Sequence, residues 1–271
     1  MIRWTKDLET GIPFVDGDHR ILVRLLNQVD ESITAFEESA TLGSVLGALR
    51  DYTVYHFGRE ETMLRAAGYA GLDDHRDEHA LLSGQVVAMV RRFRGDPASV
   101  EKAEVRNFLR NWLVEHILVH DFTYREACLA APDAAARAEA IGFAGSLGVG
   151  GSFSSLHVLV VDDNERFRQL LVTVLKALGI REVSLAAGPE EGLERWRKRP
   201  GNVVICDWLM DGMPAHTFAA AVRVISPAAR IVALSALTVG EIESRVGIGT
   251  LDAILEKPVS TGDLARALVA H

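Results

Sequence analysis

Apolar residues follow two rhythms along this chain. Up to about residue 130 they recur three and four apart. Ile21, Leu22, Leu25, Leu26, Val29 and Ile33 trace one stripe, the spacing of a single helix face. The pattern predicts a first helix over residues 18–38. A second is predicted over 44–67, stopped by Gly68 and Gly71, and a third over 74–93. Gly95-Asp96-Pro97 breaks the chain and restarts it, with Asp96 suited to an N-cap and Pro97 to a first turn. A fourth helix is predicted over 99–129. Four helices with short connections predict an all-α up-down bundle.

The second rhythm starts at Leu156. Short apolar runs at 157–161, 183–186, 203–206, 231–234 and 253–255 alternate with helical stretches. That alternation predicts an α/β, doubly wound, parallel five-stranded sheet. Between the two patterns, the alanine-rich stretch APDAAARAEA, which could extend the last helix, passes into IGFAGSLGVGGSFSS, rich in Gly and Ser and free of charge. It reads as a linker. The expected division is a bundle over 1–130, a linker over 131–155 and an α/β domain over 156–271, with no third domain.

Composition narrows the class. With 48% hydrophobic and 24% charged residues, the chain is neither disordered nor fibrous. A net charge of -8 argues against nucleic acid as a partner. No apolar run approaches the ~18 residues of a membrane span, so no membrane partner is expected. The opening MIRWTKDLETGIP lacks the apolar stretch of a signal peptide. Cys128 and Cys206 provide no disulfide framework. A cytoplasmic location is the expectation.

Chemistry-bearing residues cluster in both halves. His56 and Glu60 are four apart on the second helix, as are His75 and His79 on the third. Such pairs share a helix face and can grip one metal. His116 precedes Asp121 by five on the fourth helix, and the first contributes His19. Each helix thus offers ligands to a shared interior, a known route to a two-metal site. In the second half, Asp162 and Asp163 follow the first strand, Asp207 follows the third, Ser235 ends the fourth and Lys257 ends the fifth. Open parallel sheets bind ligands beyond their strands' carboxyl ends. Clustered carboxylates there suit a hard cation such as Mg2+, and the hydroxyl and ammonium suit a phosphoryl group.

Trp4, GIPFVDGDH ending in His19, HFGRE, HRDEH and HILVHD together resemble the bacterial branch of the hemerythrin family. The resemblance implies two non-haem irons with an oxo or hydroxo bridge. His75, His79 and His116 would hold one iron, His19 and His56 the other, with Glu60 and Asp121 bridging. One coordination position stays open on the iron with two histidines, where that family binds O2. Imidazole plus carboxylate also suits zinc or manganese. His120 lies outside the motif; Trp4 reads as a packing residue, and Tyr124 as a core residue or a neighbour of the site.

VLVVDDN, VVICDWLM, VALSA and EKP resemble the receiver domain of two-component response regulators, which has a flavodoxin-like sheet. The resemblance implies Asp207 as phospho-acceptor. Mg2+ would lie on Asp162, Asp163, Asp207 and the Leu209 carbonyl, and Lys257 and Ser235 on the phosphoryl oxygens. Departures stand out. Asp211 replaces a frequent Pro, the Gly expected near Ala215 is absent, Ile254 takes the aromatic switch position and Val259 replaces Phe. Leu209 and Leu237 offer no hydrogen bond to an attacking water, which implies a long-lived phosphoryl group.

The combination implies a response regulator, not an enzyme beyond its own phosphorylation and dephosphorylation, that senses O2 or redox state through di-iron. Its expected partners are a sensor histidine kinase or phosphotransfer protein, a downstream protein and a second copy of the chain. Two alternatives stay open: an O2 storage or delivery protein with phosphorylation-controlled interactions, and a di-iron enzyme acting on peroxide or nitric oxide.

Overall fold

The first helix, α1 (Pro13–Thr34), starts at a proline suited to an opening turn. Asp16 in that turn folds back and accepts from the N–H groups of Thr10 and Gly11 and from the Thr10 hydroxyl. α1 buries Val15, Leu22, Leu25, Leu26 and Val29. The computed structural model describes residues 1–34, 39–100, 102–237, 241–242 and 251–269, so the predicted end of this helix at 38 lies outside the described residues.

α2 (Ser39–Ala66) is buried on almost every side, because α1, α3 and later helices pack around it. A helix in that position loses the one-sided stripe of a surface helix. Gly68, with φ +66°, ends it. Tyr69 N–H returns to Leu64 O and Gly68 N–H to Arg65 O, the paired bonds that satisfy a helix's last carbonyls. α3 (Leu72–Gly95) carries His75 and His79 on its buried side.

The predicted fourth helix is not continuous. α4 (Lys102–Glu115) passes into a π-helical turn, His116–Asp121, and then α5 (Phe122–Leu129). Phe122 N–H reaches back five residues to Ile117 O. The reason is legible in the spacing. At ~100° per residue, positions five apart point about 140° away from each other on an α-helix. Widening the turn by one residue brings His116 and Asp121 to one side, and such bulges occur often at functional sites.

The linker reading of 131–155 is corrected for its first part. α6 (Pro132–Glu139) has proline in its opening turn and buries Ala134 and Ala138 in a cluster with Met63, Tyr124 and Cys128. α7 (Phe143–Ser146) places the Phe143 ring 5.0 Å from the rings of both Tyr52 and Tyr55. Alanines four apart are small enough to let α6 lie close on the bundle. The N-terminal unit therefore runs Met1–Ser146, and the second Leu147–His271.

In the second unit five parallel strands lie in the order β2-β1-β3-β4-β5. They are β1 (His157–Val161), β2 (Glu182–Ala186), β3 (Val203–Asp207), β4 (Arg230–Ser235) and β5 (Ala253–Glu256). Among the described residues the sheet is accompanied by helices α8 (Glu165–Ala177), α9 (Pro189–Lys198) and α10 (Ala215–Ile225) and by a helix over Thr261–Val269. Central β3 is buried along its whole length, as a sheet covered on both faces requires. Gly192 lets α9 lie close: a Cβ there would sit 3.0 Å from Val161 and 3.1 Å from Phe218. β1, β3, β4 and β5 all end at one edge of the sheet, which collects the predicted polar residues.

Candidate metal centre and phosphoryl pocket

All seven residues expected in the bundle meet in its interior, and none is more than 4% exposed. The carboxylates are two-sided. Glu60 Oε1 lies 2.6 Å from His75 Nε2 and 3.8 Å from His79 Nε2, while its Oε2 lies 3.2 Å from His56 Nε2. Asp121 Oδ1 lies 3.2 Å from His116 Nε2 and 3.8 Å from His75 Nε2, while its Oδ2 lies 3.2 Å from His19 Nε2. Glu60 thus turns one oxygen to His75 and His79 and the other to His56, and Asp121 turns one to His116 and His75 and the other to His19.

Several of these atoms are at contact distance yet out of hydrogen-bond alignment. His79 Nε2, His116 Nε2 and both Asp121 oxygens are buried with no hydrogen-bond partner. Native proteins rarely leave such groups unpaired without a reason such as an ion. Glu60, His75, His79 and His116 form one candidate cation cluster, and His19, His56 and Glu60 a second.

Proton affinities point the same way. Burial, then the nearby charge of His56, holds His19 well below the usual histidine range. Burial does the same to His116, and lowers His79. Neutral imidazoles are the form that binds metal. Burial, then the charge of Glu60, holds Asp121 well above the carboxylate range. Burial opposes the charge of Glu60, but hydrogen bonds from His56 and His75 keep its carboxyl well below that range. Burial also opposes a charge on His56, but the adjacent carboxylates of Asp18 and Glu60 push it up to about 9. Two adjacent carboxylates resist ionising together, and a shared cation removes that conflict. The donor set fits iron.

Sequence reasoning missed the groups behind the histidines. His79 Nδ1 lies 3.1 Å from Glu61, and His56 Nδ1 lies 3.5 Å from Asp18. Such outer carboxylates fix a ligand's ring orientation. Both sit next to a motif residue in sequence, but only the packing of α1 and α3 on α2 shows where they face. His120 stays outside the cluster, its ring stacked 5.7 Å from that of His116. Trp4 lies 6.2 Å from His19, ring to ring, with the Arg20 guanidinium over the Trp4 ring at 5.0 Å. Tyr124 is buried 5.4 Å from the His75 ring.

The second pocket gathers at the strand ends. Lys257 Nζ donates to Asp162 Oδ2 at 3.0 Å and lies 3.3 Å from Asp207 Oδ1. Asp162, Asp163 and Asp207 form a candidate cation cluster. Burial, then the charge of Asp162, pushes Asp207 up to about 6 against the pull of Lys257. Burial also raises Asp162. Ser235 is buried and its hydroxyl accepts from Leu237 N–H at 2.9 Å. The two leucines differ: Leu209 is 53% exposed beside Asp207, whereas Leu237 packs against the core. Ile254 packs against the same core.

Comparison with known proteins places both halves. Residues 10–128 match the hemerythrin HHE cation binding domain, and residues 158–269 match the response regulator receiver domain. The bacteriohemerythrin of Methylococcus capsulatus is 33% identical over 132 residues, 48% of this chain and 98% of the relative. That of Stenotrophomonas maltophilia is 32% identical, covering 46% of this chain and 80% of the relative. A solved structure of the Vibrio cholerae chemotaxis protein CheY4 is 31% identical, with 41% of this chain and 94% of that one covered and a TM-score of 0.38.

A helical bundle with a buried histidine–carboxylate interior, followed by a receiver-type sheet, defines a signalling protein with a metal site. The chain belongs to the hemerythrin family through its N-terminal half and carries a response regulator receiver domain in its C-terminal half. Membership implies non-haem iron in the bundle, and a kinase or phosphotransfer partner for the receiver. Among the described residues no helix is long and apolar enough to cross a membrane.

Proposed function

We propose that this chain is a response regulator that accepts a phosphoryl group on Asp207 and reports the O2 or redox state of a di-iron centre. The observation that carries the reading is the two-sided placement of Glu60 and Asp121 between two histidine groups. His75, His79 and His116 would hold one iron, His19 and His56 the other, and the two carboxylates would bridge them. When bound, such a pair supplies reversible O2 binding and a change of oxidation state. The chain's own groups set the conditions. Burial disfavours a proton's charge on His19, His79 and His116 and excludes bulk water, and Asp18 and Glu61 hold the rings of His56 and His79 in place.

In the receiver, an Asp207 oxygen attacks the phosphorus of a donor phosphohistidine. The phosphorus–nitrogen bond breaks and the donor nitrogen keeps the electron pair. Lys257 neutralises a phosphoryl oxygen. Asp162, Asp163, Asp207 and the Leu209 carbonyl would hold Mg2+, an oxygen-seeking cation whose charge favours ionised Asp207. Ser235 would hydrogen-bond the phosphoryl group. With Ile254 at the aromatic switch position, the output passes through backbone and packing changes and not through a swinging ring. The receiver needs no catalysis beyond its own phosphorylation and dephosphorylation.

The direct test uses the iron-loaded full chain. The expected result is two irons per chain, an absorption spectrum that comes and goes with O2, and one hydroxylamine-sensitive label from acetyl phosphate. A chain that takes up iron but shows no O2-reversible spectrum contradicts the O2 reading, and one that takes up no label contradicts the receiver chemistry.

A further inference from the structure

One buried ion pair reaches from the metal centre to the segment that leaves the bundle. Asp18 is 4% exposed and Arg59 5%. Asp18 Oδ1 and Oδ2 each accept from Arg59 Nη1 at 2.8 Å, and Oδ1 also accepts from Tyr52 OH at 2.8 Å. The same carboxylate faces His56 Nδ1 at 3.5 Å. On its far side, Arg59 Nε donates to Ala138 O at 3.0 Å and Nη2 to Glu139 O at 3.3 Å. Those are the last carbonyls of α6; Ala138 O also accepts from Ile141 N–H at 3.1 Å, so Arg59 adds a side-chain donor to the turn that ends the helix. One turn back on α2, Tyr55 OH donates to Ile141 O at 3.0 Å. The guanidinium lies 4.6 Å from the Phe14 ring and 5.0 Å from the Tyr55 ring.

We infer that Asp18 and Arg59 are a positioning pair that aims His56 at the metal centre and clamps the end of α6, so that metal occupancy and docking of the α6–α7 segment are one coupled equilibrium. The physical reason is that no member can move alone. With His56 Nε2 committed to a cation, the ring's proton sits on Nδ1 and faces Asp18, which fixes the carboxylate. Asp18 is the charge partner of Arg59, and a buried guanidinium without one is strongly unfavourable. Arg59 in turn holds α6 only from the position that Asp18 allows. If His56 loses its metal and turns, the carboxylate shifts, the guanidinium follows, and Ala138 O and Glu139 O lose the bonds from Arg59 that tie the end of α6 to α2. α6 and α7 are the last helices of the N-terminal unit in the chain, so the clamp acts on the end of that unit, immediately before the receiver in sequence. The inference rests on the hemerythrin-type metal site and not on O2 being the signal.

The test is hydrogen exchange, read by mass spectrometry over residues 132–146 of the full chain, with and without Fe(II) added anaerobically. Loading is expected to slow exchange there about tenfold, within the usual range of coupling between sites. Equal exchange in the two wild-type samples overturns the inference without any variant. Arg59→Lys keeps the charge opposite Asp18 but loses the fork to α6. It should hold Fe(II) within about threefold of wild type, while the metal-linked slowing falls below about twofold. Asp18→Asn should weaken Fe(II) binding about 10- to 100-fold, the usual effect of removing an outer partner of a metal ligand. Slowing of wild-type size in Arg59→Lys also overturns the clamp. If Fe(II) slows α6 but the state of the irons leaves Asp207 phosphorylation unchanged, the clamp stands and the signalling reading fails. If phosphorylation responds while α6 does not, the reading stands and the clamp is wrong.

Discussion

Asp207→Ala is expected to reduce labelling by acetyl phosphate by at least about a hundredfold, to background, because it removes the nucleophile itself. The pocket holds other carboxylates, and its geometry says why they do not substitute. Asp162 is 1% exposed, and its two oxygens are taken by Lys257 Nζ and by the N–H of Asn164. Asp163 is exposed and belongs with Asp162 and Asp207 to the candidate cation cluster. Asp207 ends the central strand within reach of Lys257 and at the edge where a donor can approach. The variant should keep its fold, since the change sits at a strand end and removes a carboxyl that burial already disfavours. A label that survives Asp207→Ala at the wild-type level moves the nucleophile elsewhere.

Glu60→Ala should have the second largest effect. Its two oxygens face opposite histidine groups, at 2.6 Å from His75 and 3.2 Å from His56. Removing them takes away the anion shared by both metal positions and leaves two cations to repel one another across a gap. Iron content is expected to fall from two per chain to below one, measured by metal analysis after anaerobic loading. Two irons retained in Glu60→Ala contradicts the bridging assignment.

Much of this was legible in the sequence, for reasons that differ by region. The five strands of the receiver were read within a residue or two, because buried parallel strands are short, continuous apolar runs bounded by polar ends. The residues of the metal centre were legible because His56–Glu60 and His75–His79 keep a helical spacing that needs no tertiary information. His116–Asp121 does not keep one. Its five-residue interval already conflicted with an α-helix, and the π-turn resolves the conflict. The linker was misjudged because alanine carries no periodic contrast. Ala134 and Ala138 pack through the close approach of backbones, which a pattern of large apolar residues does not register. Asp18, Arg59 and Glu61 were missed because each neighbours a motif residue and faces a different element. Only the packing of α1, α3 and α6 around α2 gives them their partners.

The central claim is that the state of the metal centre sets the lifetime or rate of formation of the phosphoryl group. Coupling requires that the two iron states favour different arrangements of the chain. With Leu209 standing exposed beside Asp207 and offering no hydrogen bond to water, intrinsic decay should be slow enough for such control to show. The most direct measurement is the rate of labelling by acetyl phosphate and the half-life of the aspartyl phosphate, in deoxygenated and O2-exposed samples of the same iron-loaded full chain. A difference of at least about fivefold in one of the two, the lower end of usual coupling between sites, is the predicted result. Equal labelling rates and equal half-lives in the two samples would contradict the account and leave a chain that binds O2 without reporting it to its receiver.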